Sequence, residues 1–445
     1  MRSYFKVIKI MNSDRGTLSQ GPLTTIKQAQ RIFAVCYGGG HVLMLIPVLE
    51  QLRSLGYEIH VLGLTAAGIP LKEAGFEPLG FLDFLTDADT RAIAHGKRLA
   101  EKMHCDGKVV SLEESIAYLG LSYADLEDQL GIEGARAEFE RLGRQAFLPV
   151  SILRRVFDRV QPDVVITTSS PRAELAAVKV AAERNIPSVG MIDLFGGQVI
   201  GGRLLTDILS DYVCIPFEGT IPVLEDWNVT RDQMVITGNP NFNWVTKVPA
   251  VQDRSWRERH HLKETDILAL YAMQPETRAY CDLVEDSLVL AVQQNPDLKV
   301  AVRAHPCQPD SDARLVLERL GDAGLPTFSD SLSELIYACD VLVTGNSTVA
   351  LEAVLLGRKA ALFYINEDLQ AHGLPLHLYY DWVTFSTTVA TGARAISQVT
   401  SDTIADQQQR RAKVCEDWHC DGKSHIRIAE VVVKAIKSKQ NRNAA

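Results

Sequence analysis

Two successive series of short apolar runs, each run separated from the next by helix-patterned segments, constrain this chain more than any other feature. The first series falls at residues 32–36, 57–63, 163–168, 187–193, 210–215 and 233–237. The second contains "ILALYA" (267–272), "KVAVRA" (299–304), "DVLVTG" (340–345) and "KAALFY" (359–364). Continuous apolar strands alternating with helices predict parallel sheets covered on both faces. Residues 83–160 break the rhythm, being helical in pattern with no clear strand and far longer than a normal connection. They predict a helical insertion in the first domain, at the mouth of its sheet.

Between the series lies "TGNPNFNWVTKVPAVQDRS", rich in Asn and Pro, which reads as an interdomain linker. The expected division is a disordered leader over 1–28 and an N-terminal α/β domain over 29–240. A C-terminal α/β domain follows over 241–425, then a C-terminal helix and tail over 426–445. Two such sheets joined by a linker form a cleft, with ligands at the carboxyl ends of the strands.

The totals agree with two domains, since 445 residues exceed one ordinary core. An apolar fraction of 46% with 23% charged residues is that of a soluble globular protein. A net charge of −9 argues against a nucleic-acid partner, because phosphate-backbone binders are usually basic. It leaves room for a local basic patch on a phosphorylated ligand or an acidic membrane. The first 30 residues hold no uninterrupted apolar stretch, so neither a signal peptide nor an anchor is expected, and no 18-residue apolar run follows. The eight cysteines are scattered, and Cys36, Cys214 and Cys339 sit inside apolar runs. That pattern predicts buried thiols in a reducing cytoplasm.

Chemistry concentrates in four places. In "YGGGHVLMLIPVLE", Gly38, Gly39 and Gly40 allow a tight turn at a helix start, and His41 follows at once. The turn is not a dinucleotide fingerprint, because Leu43 stands where a third spaced glycine belongs, and no P-loop motif occurs. His41 reads either as a general base for a hydroxyl proton or as a capping histidine against the helix dipole. Pro47 is expected to kink the helix or leave its first turn irregular. In "VRAHPCQPD", Arg303 and His305 suit a phosphate oxygen and Pro306 fixes the loop.

In "TGNSTVALEAVLLG", Asn346, Ser347 and Thr348 open a helix whose free N–H groups suit a phosphate or diphosphate. Glu352, four residues beyond Thr348 and on the same helical face, could accept both hydroxyls of a ribose. The plain alternative is a capped helix with one exposed acid. In "MQPETR", Gln274, Glu276 and Thr277 could line the cleft, though Thr277 also reads as a helix cap. Asp193, ending a strand, is a rival general base, and Asp421 reads as a turn residue before the last helix. "CEDWHC" has a spacing wider than the usual zinc pair, with no second pair, so no metal site is expected.

Together these residues resemble nucleotide-sugar glycosyltransferases of the GT-B type, built from two Rossmann-like domains, over about Arg31 to Lys439. The glycine turn with His41 is similar to the Gly-Gly-x-Gly-Gly-His loop of the enzyme that adds N-acetylglucosamine in peptidoglycan synthesis, one element shorter. "DVLVTGNSTVALEAVLLGRKAALF" looks like the donor-nucleotide helix. "RAHP" is similar to the His-Pro motif of bacterial sialyltransferases, and "DGKSHIRIAEVV" to the closing segment of capsule and teichoic-acid transferases.

The resemblance implies an acceptor-side N-terminal domain and a nucleotide-sugar-binding C-terminal domain facing a cleft, with the last helix crossing back to the first domain. Ser347 and Thr348 would contact donor phosphates, His305 the phosphate, Glu352 the ribose, and His41 would sit by the reacting hydroxyl. No separate cofactor or metal is implied, the nucleotide-sugar being a substrate linked to UDP or CMP. The acceptor would be a polysaccharide, glycolipid or other glycan, met in the cytoplasm or at the inner face of the membrane. Two other readings stand beside it: a nucleotide-sugar epimerase or hydrolase of the same fold, and a non-catalytic nucleotide- or glycan-binding scaffold subunit.

Overall fold

The computed structural model describes residues 29–104, 109–194, 210–249, 254–305, 307–327, 330–345, 347–365 and 375–444. The leader 1–28 and two candidate site residues, Pro306 and Asn346, lie outside the described residues. The chain forms two units. Residues 30–249, 375–380 and 408–444 make the N-terminal one, and 254–365 with 381–407 the C-terminal one.

The N-terminal unit opens with β1 (Arg31–Cys36), α1 (Gly40–Ser54), β2 (Glu58–Gly63) and α2 (Gly68–Glu73). The insertion follows as α3 (Thr90–Met103), α4 (Leu112–Leu142) and α5 (Val150–Val160). Then come β3 (Val164–Thr167), α6 (Ala173–Glu183), β4 (Ser188–Met191), β5 (Tyr212–Ile215), α7 (Thr220–Glu225) and β6 (Met234–Ile236). All six strands are parallel in the order β2-β1-β3-β4-β5-β6, with Ile32 registered on Ile59 and on Val164.

The period of two along β1 decides what each face carries. Ile32, Ala34 and Cys36 enter one core with Val42, Leu45, Val48 and Leu49 of α1. Phe33, Val35 and Tyr37 enter the other, with Phe157 of α5, Ala176 and Ala177 of α6, and the insertion helices. Each fully buried aliphatic or aromatic side chain contributes about 1.5–3 kcal/mol, so the insertion is anchored by the sheet's own second face. α4 breaks at Gly131, where φ is 70°.

α1 continues as one helix through Pro47. The carbonyl whose N–H partner the ring removes belongs to Leu43, an exposed position where water can take its place. The first part of the stretch read as a linker is also built in. Pro240–Lys247 forms a 3-10 helix with Phe242 and Val245 buried in the N-terminal unit.

The C-terminal unit contains α8 (Arg254–Arg259), β7 (Ile267–Ala272), α9 (Arg278–Gln294), β8 (Leu298–Arg303), α10 (Asp310–Leu320) and β9 (Gly324–Pro326). It continues with α11 (Leu332–Ala338), β10 (Val341–Thr344), α12 (Thr348–Leu355), β11 (Lys359–Phe363), β12 (Val383–Ser386) and α13 (Val389–Ser397). Its sheet is also parallel, in the order β12-β11-β10-β7-β8-β9. The edge strands β9 and β12 escape the sequence pattern. β9 is three residues ending in proline, a residue tolerated only at an edge, and β12 is four residues with exposed Thr384 inside it.

The chain then forms α14 (Ile404–Asp417) and α15 (Ser424–Ala444). α15 returns to the first sheet, where Ile428, Val432, Ala435 and Ile436 complete the core against Ile32, Ala34 and α1. Cys36, Cys214 and Cys339 are buried, as their apolar surroundings predict. Among the described residues, no helix is long and apolar enough to cross a membrane.

Candidate functional site

In each unit the candidate residues gather at the carboxyl edge of the sheet. In the N-terminal unit the chain leaves β1, turns through three glycines and starts α1. Gly39 is the N-cap with φ 75°, a conformation that disfavours any residue with a Cβ. At Gly38 a Cβ would come within 2.6 Å of Ala66, so the glycine there serves close packing inside the protein. At Gly40 a Cβ would meet only Asn241 Nδ2, at 3.6 Å. Asn241 in turn donates to the Gly40 carbonyl at 2.9 Å and ties the turn to the segment after β6.

His41 therefore sits in the first turn of α1, half-buried. Its Nδ1 lies 2.6 Å from Thr168 Oγ1, and Thr168 donates to Glu174 Oε1 at 2.7 Å. Glu174 is fully buried in the first turn of α6 and also accepts the backbone N–H groups of Tyr37, at 3.2 Å, and Ser170, at 2.5 Å. Burial holds its carboxyl above the usual range, against the opposing pull of His41, Thr168 and the two N–H donors.

Sequence reasoning missed both Thr168 and Glu174. The available signal was a lone acid opening the Ala-rich helix "AELAAVKVAAE", just after the polar turn "TSSPR" that leaves β3. An ionised residue in that position needs dedicated partners.

Asp193 lies on the same edge, just beyond β4. Its Oδ1 accepts the Leu194 N–H at 3.0 Å and the Ser169 hydroxyl at 3.4 Å, and its backbone carbonyl accepts from Asn239 Nδ2 at 2.5 Å. Its carboxylate thus spends acceptor capacity on its own turn. Of the two candidate bases, His41 is the one with a buried carboxylate behind it.

In the C-terminal unit, Gln274 follows β7 and accepts the Gly345 N–H at 3.0 Å, pinning the turn after β10 to the end of β7. A Cβ on Gly345 would fall 2.5 Å from Tyr280 Oη and 2.8 Å from Gln274 Oε1. Tyr280 Oη is buried and, among the described residues, has no hydrogen-bond partner, so a second polar atom faces this turn.

Ser347 is the N-cap of α12 and accepts the Val349 N–H at 3.4 Å. Thr348 is exposed, and Glu352 is half-buried one turn later. Burial alone pushes the Glu352 carboxyl up to about 7. Thr277 sits apart from these groups as the N-cap of α9, exposed, its hydroxyl accepting the Tyr280 N–H at 3.4 Å.

Beyond β8, Arg303, His305, Gln308, Asp310 and Thr327 line a pocket of about 170 Å³. Arg303 donates to the Thr327 carbonyl at 3.2 Å. His305 Nδ1 accepts the Cys307 N–H at 3.2 Å, which leaves the proton of the neutral ring on Nε2 as a donor. Gln308 Oε1 is buried without a partner among the described residues, and sequence reasoning missed it. An Arg, a donating His and a helix N-terminus on one sheet edge suit an anionic ligand. Among the described residues, no three His, Cys, Asp or Glu side chains group as a metal site would require.

No family model matches the chain, and no curated protein matches it. Solved structures do. A Listeria monocytogenes protein assigned as a UDP-N-acetylglucosamine 2-epimerase aligns over 93% of this chain and 97% of its own, with 13% identity and a TM-score of 0.58. The UDP-GlcNAc 2-epimerase of Neisseria meningitidis, solved bound to UDP-GlcNAc, aligns over 91% and 100%, with 12% identity and a TM-score of 0.56. Acinetobacter baumannii MurG aligns over 91% and 99%, with 12% identity and a TM-score of 0.54. With two parallel six-stranded sheets and a last helix that returns to the first, the chain has the GT-B fold, which glycosyltransferases and nucleotide-sugar 2-epimerases share.

Proposed function

We propose that this protein is a glycosyltransferase that moves a sugar from a nucleotide-sugar donor to a hydroxyl of a polysaccharide, glycolipid or other glycan, without a metal ion. The observation that carries the proposal is His41, placed by a glycine turn in the first turn of α1 and backed through Thr168 by the buried Glu174. A histidine so placed can take the acceptor's hydroxyl proton as the oxygen attacks the anomeric carbon. The bond from that carbon to the donor phosphate breaks, and its electrons leave with the nucleotide.

In the C-terminal unit, Ser347 and Thr348 at the start of α12, with Arg303 and His305 beyond β8, would hold that phosphate charge. Glu352 would accept the ribose hydroxyls. The UDP-GlcNAc in the Neisseria neighbour makes UDP-GlcNAc the first donor to try, with a CMP-linked sugar second. An acceptor carried on a lipid would place the protein at the inner face of the membrane.

A second reading, a nucleotide-sugar 2-epimerase, is favoured by the Listeria and Neisseria neighbours. One experiment separates the two. UDP-GlcNAc is incubated with the protein in the presence of EDTA, with and without a panel of lipid-linked and oligosaccharide acceptors. Acceptor-dependent UDP release supports transfer. Conversion of the donor to its 2-epimer without acceptor, or UDP release at the same rate without one, sinks it.

A further inference from the structure

We infer that Thr168 and Glu174 are positioning residues for His41, holding its neutral ring with the proton on Nδ1 so that Nε2 is the free base. The inference rests on the proposed role of His41 and deepens it. It follows from counting protons. Thr168 Oγ1 carries one hydrogen and has two neighbours, Glu174 Oε1 at 2.7 Å and His41 Nδ1 at 2.6 Å. Only one of them can receive that hydrogen.

Glu174 settles which. Its two oxygens face two backbone N–H groups, from Tyr37 and Ser170, besides the threonine hydroxyl. The two backbone groups can only donate, one to each oxygen, an arrangement an ionised carboxylate satisfies on both sides. Glu174 also lies in the first turn of α6, where the helix dipole favours negative charge. The threonine proton therefore goes to Glu174. Thr168 Oγ1 turns a lone pair toward the imidazole, and His41 Nδ1–H is the donor that fills it.

The consequence falls on the other ring nitrogen. Among the described residues Nε2 has no hydrogen-bond partner, and the ring is half-buried rather than sealed. In the neutral ring Nε2 then carries the lone pair. When it takes a hydroxyl proton, the O–H bond breaks, an N–H bond forms, and the electron pair stays on the acceptor oxygen. The ring becomes a cation two hydrogen bonds from a buried anion, where low local polarity strengthens the attraction. The Thr168 and Glu174 protons do not move. The attraction is reciprocal, since the charge of His41 draws the Glu174 carboxyl down against the upward push of burial.

The test is nuclear magnetic resonance of the full chain labelled with ¹⁵N-histidine, recorded at alkaline pH, where imidazoles are neutral, and assigned by loss of the signal in His41→Asn. Wild type and Thr168→Ser should both show Nδ1 protonated and Nε2 bare. Thr168→Val keeps the shape and removes the hydroxyl, and should shift the ring toward the Nε2-protonated form. With a nucleotide-sugar that turns over, Thr168→Val should lower kcat by about 10-fold or more with the donor KM unchanged, and Thr168→Ser should restore it.

A wild-type ring protonated on Nε2 would overturn the inference, and so would a Thr168→Val spectrum or kcat like wild type. Glu174→Gln adds an independent arm, with Thr168→Val covering the case in which the buried change fails to fold. The spectra need no substrate. A chain that turns over no nucleotide-sugar would defeat the proposed function and leave the tautomer to be judged separately.

Discussion

Trp418 lies flat on Phe217, the ring centroids 4.3 Å apart and the planes 11° from parallel, and its indole N–H donates to Tyr380 Oη at 3.0 Å. Three distant stretches of sequence meet there inside the N-terminal unit, and Trp418 is fully buried. Trp418→Ala removes the stack, the hydrogen bond and most of a large side chain. It should cost about 3–5 kcal/mol of stability. Urea unfolding followed by circular dichroism checks this, and a loss below about 1 kcal/mol would mean the turn before α15 contributes little.

Glu352 makes a statement about pH. Burial raises its carboxyl from the ordinary 4.5 to about 7, so between those values the folded chain holds a proton that the unfolded chain has lost. Stability must then fall as pH rises through that window and level off above it. Glu352→Gln removes the effect, and should be as stable as wild type near pH 4.5 but more stable at pH 8, by up to ~3 kcal/mol. Urea midpoints at the two pH values decide it. If the carboxylate form accepts ribose hydroxyls, wild-type nucleotide affinity should also weaken as pH drops below about 7.

Binding and turnover should separate by unit. His41→Ala should lower turnover by about 10²–10⁴-fold while leaving nucleotide affinity unchanged. Glu352→Ala should weaken nucleotide binding first. Calorimetric titration with UDP, set beside steady-state rates, reads both. Equal nucleotide affinity in wild type and Glu352→Ala would remove Glu352 from the site.

Cys415 should be the reactive thiol. It lies in the last turn of α14 beside Cys420, whose backbone N–H donates to the Cys415 carbonyl at 2.8 Å. A hydrogen bond from the Cys420 thiol, aided by the Arg411 guanidinium, lowers Cys415 to about 7, and burial pushes Cys214 and Cys339 up to about 12. Iodoacetamide at pH 7.5, followed by peptide mass spectrometry, should label Cys415 faster than exposed Cys307 and leave Cys214 and Cys339 unlabelled. Arg411→Ala should slow the Cys415 reaction.

The sequence was legible where periodicity and burial coincide. "ILALYA" is β7 residue for residue, and every strand of the first sheet begins within two residues of its expected position. It was less legible where an element is held by its neighbours. β9 and β12 are too short to carry a period, and their pairing to β8 and β11 makes them strands. Pro47 carries a strong local rule, and an exposed carbonyl at Leu43 relaxes it.

The same division runs through the site. His41 stands out in sequence because a glycine turn precedes it. Thr168 and Glu174 do not, because they lie 127 and 133 positions away and only the adjacency of β1 and β3 brings them to it. Thr277 was readable both ways, and its hydroxyl is taken by its own helix.

The return of α15 to the first sheet has a consequence for synthesis. Ile428, Val432 and Ile436 fill the core under Ile32 and Ala34, so strands that emerge early from the ribosome wait for residues made near the end. At about 5–20 residues per second, the roughly 400 residues between them take about 20–80 s to make, during which that apolar face lacks part of its cover. A chain stopped by a nonsense codon between Glu352 and Ser424 would keep the site residues from His41 to Glu352 and still expose that face, a substrate for chaperones and proteases.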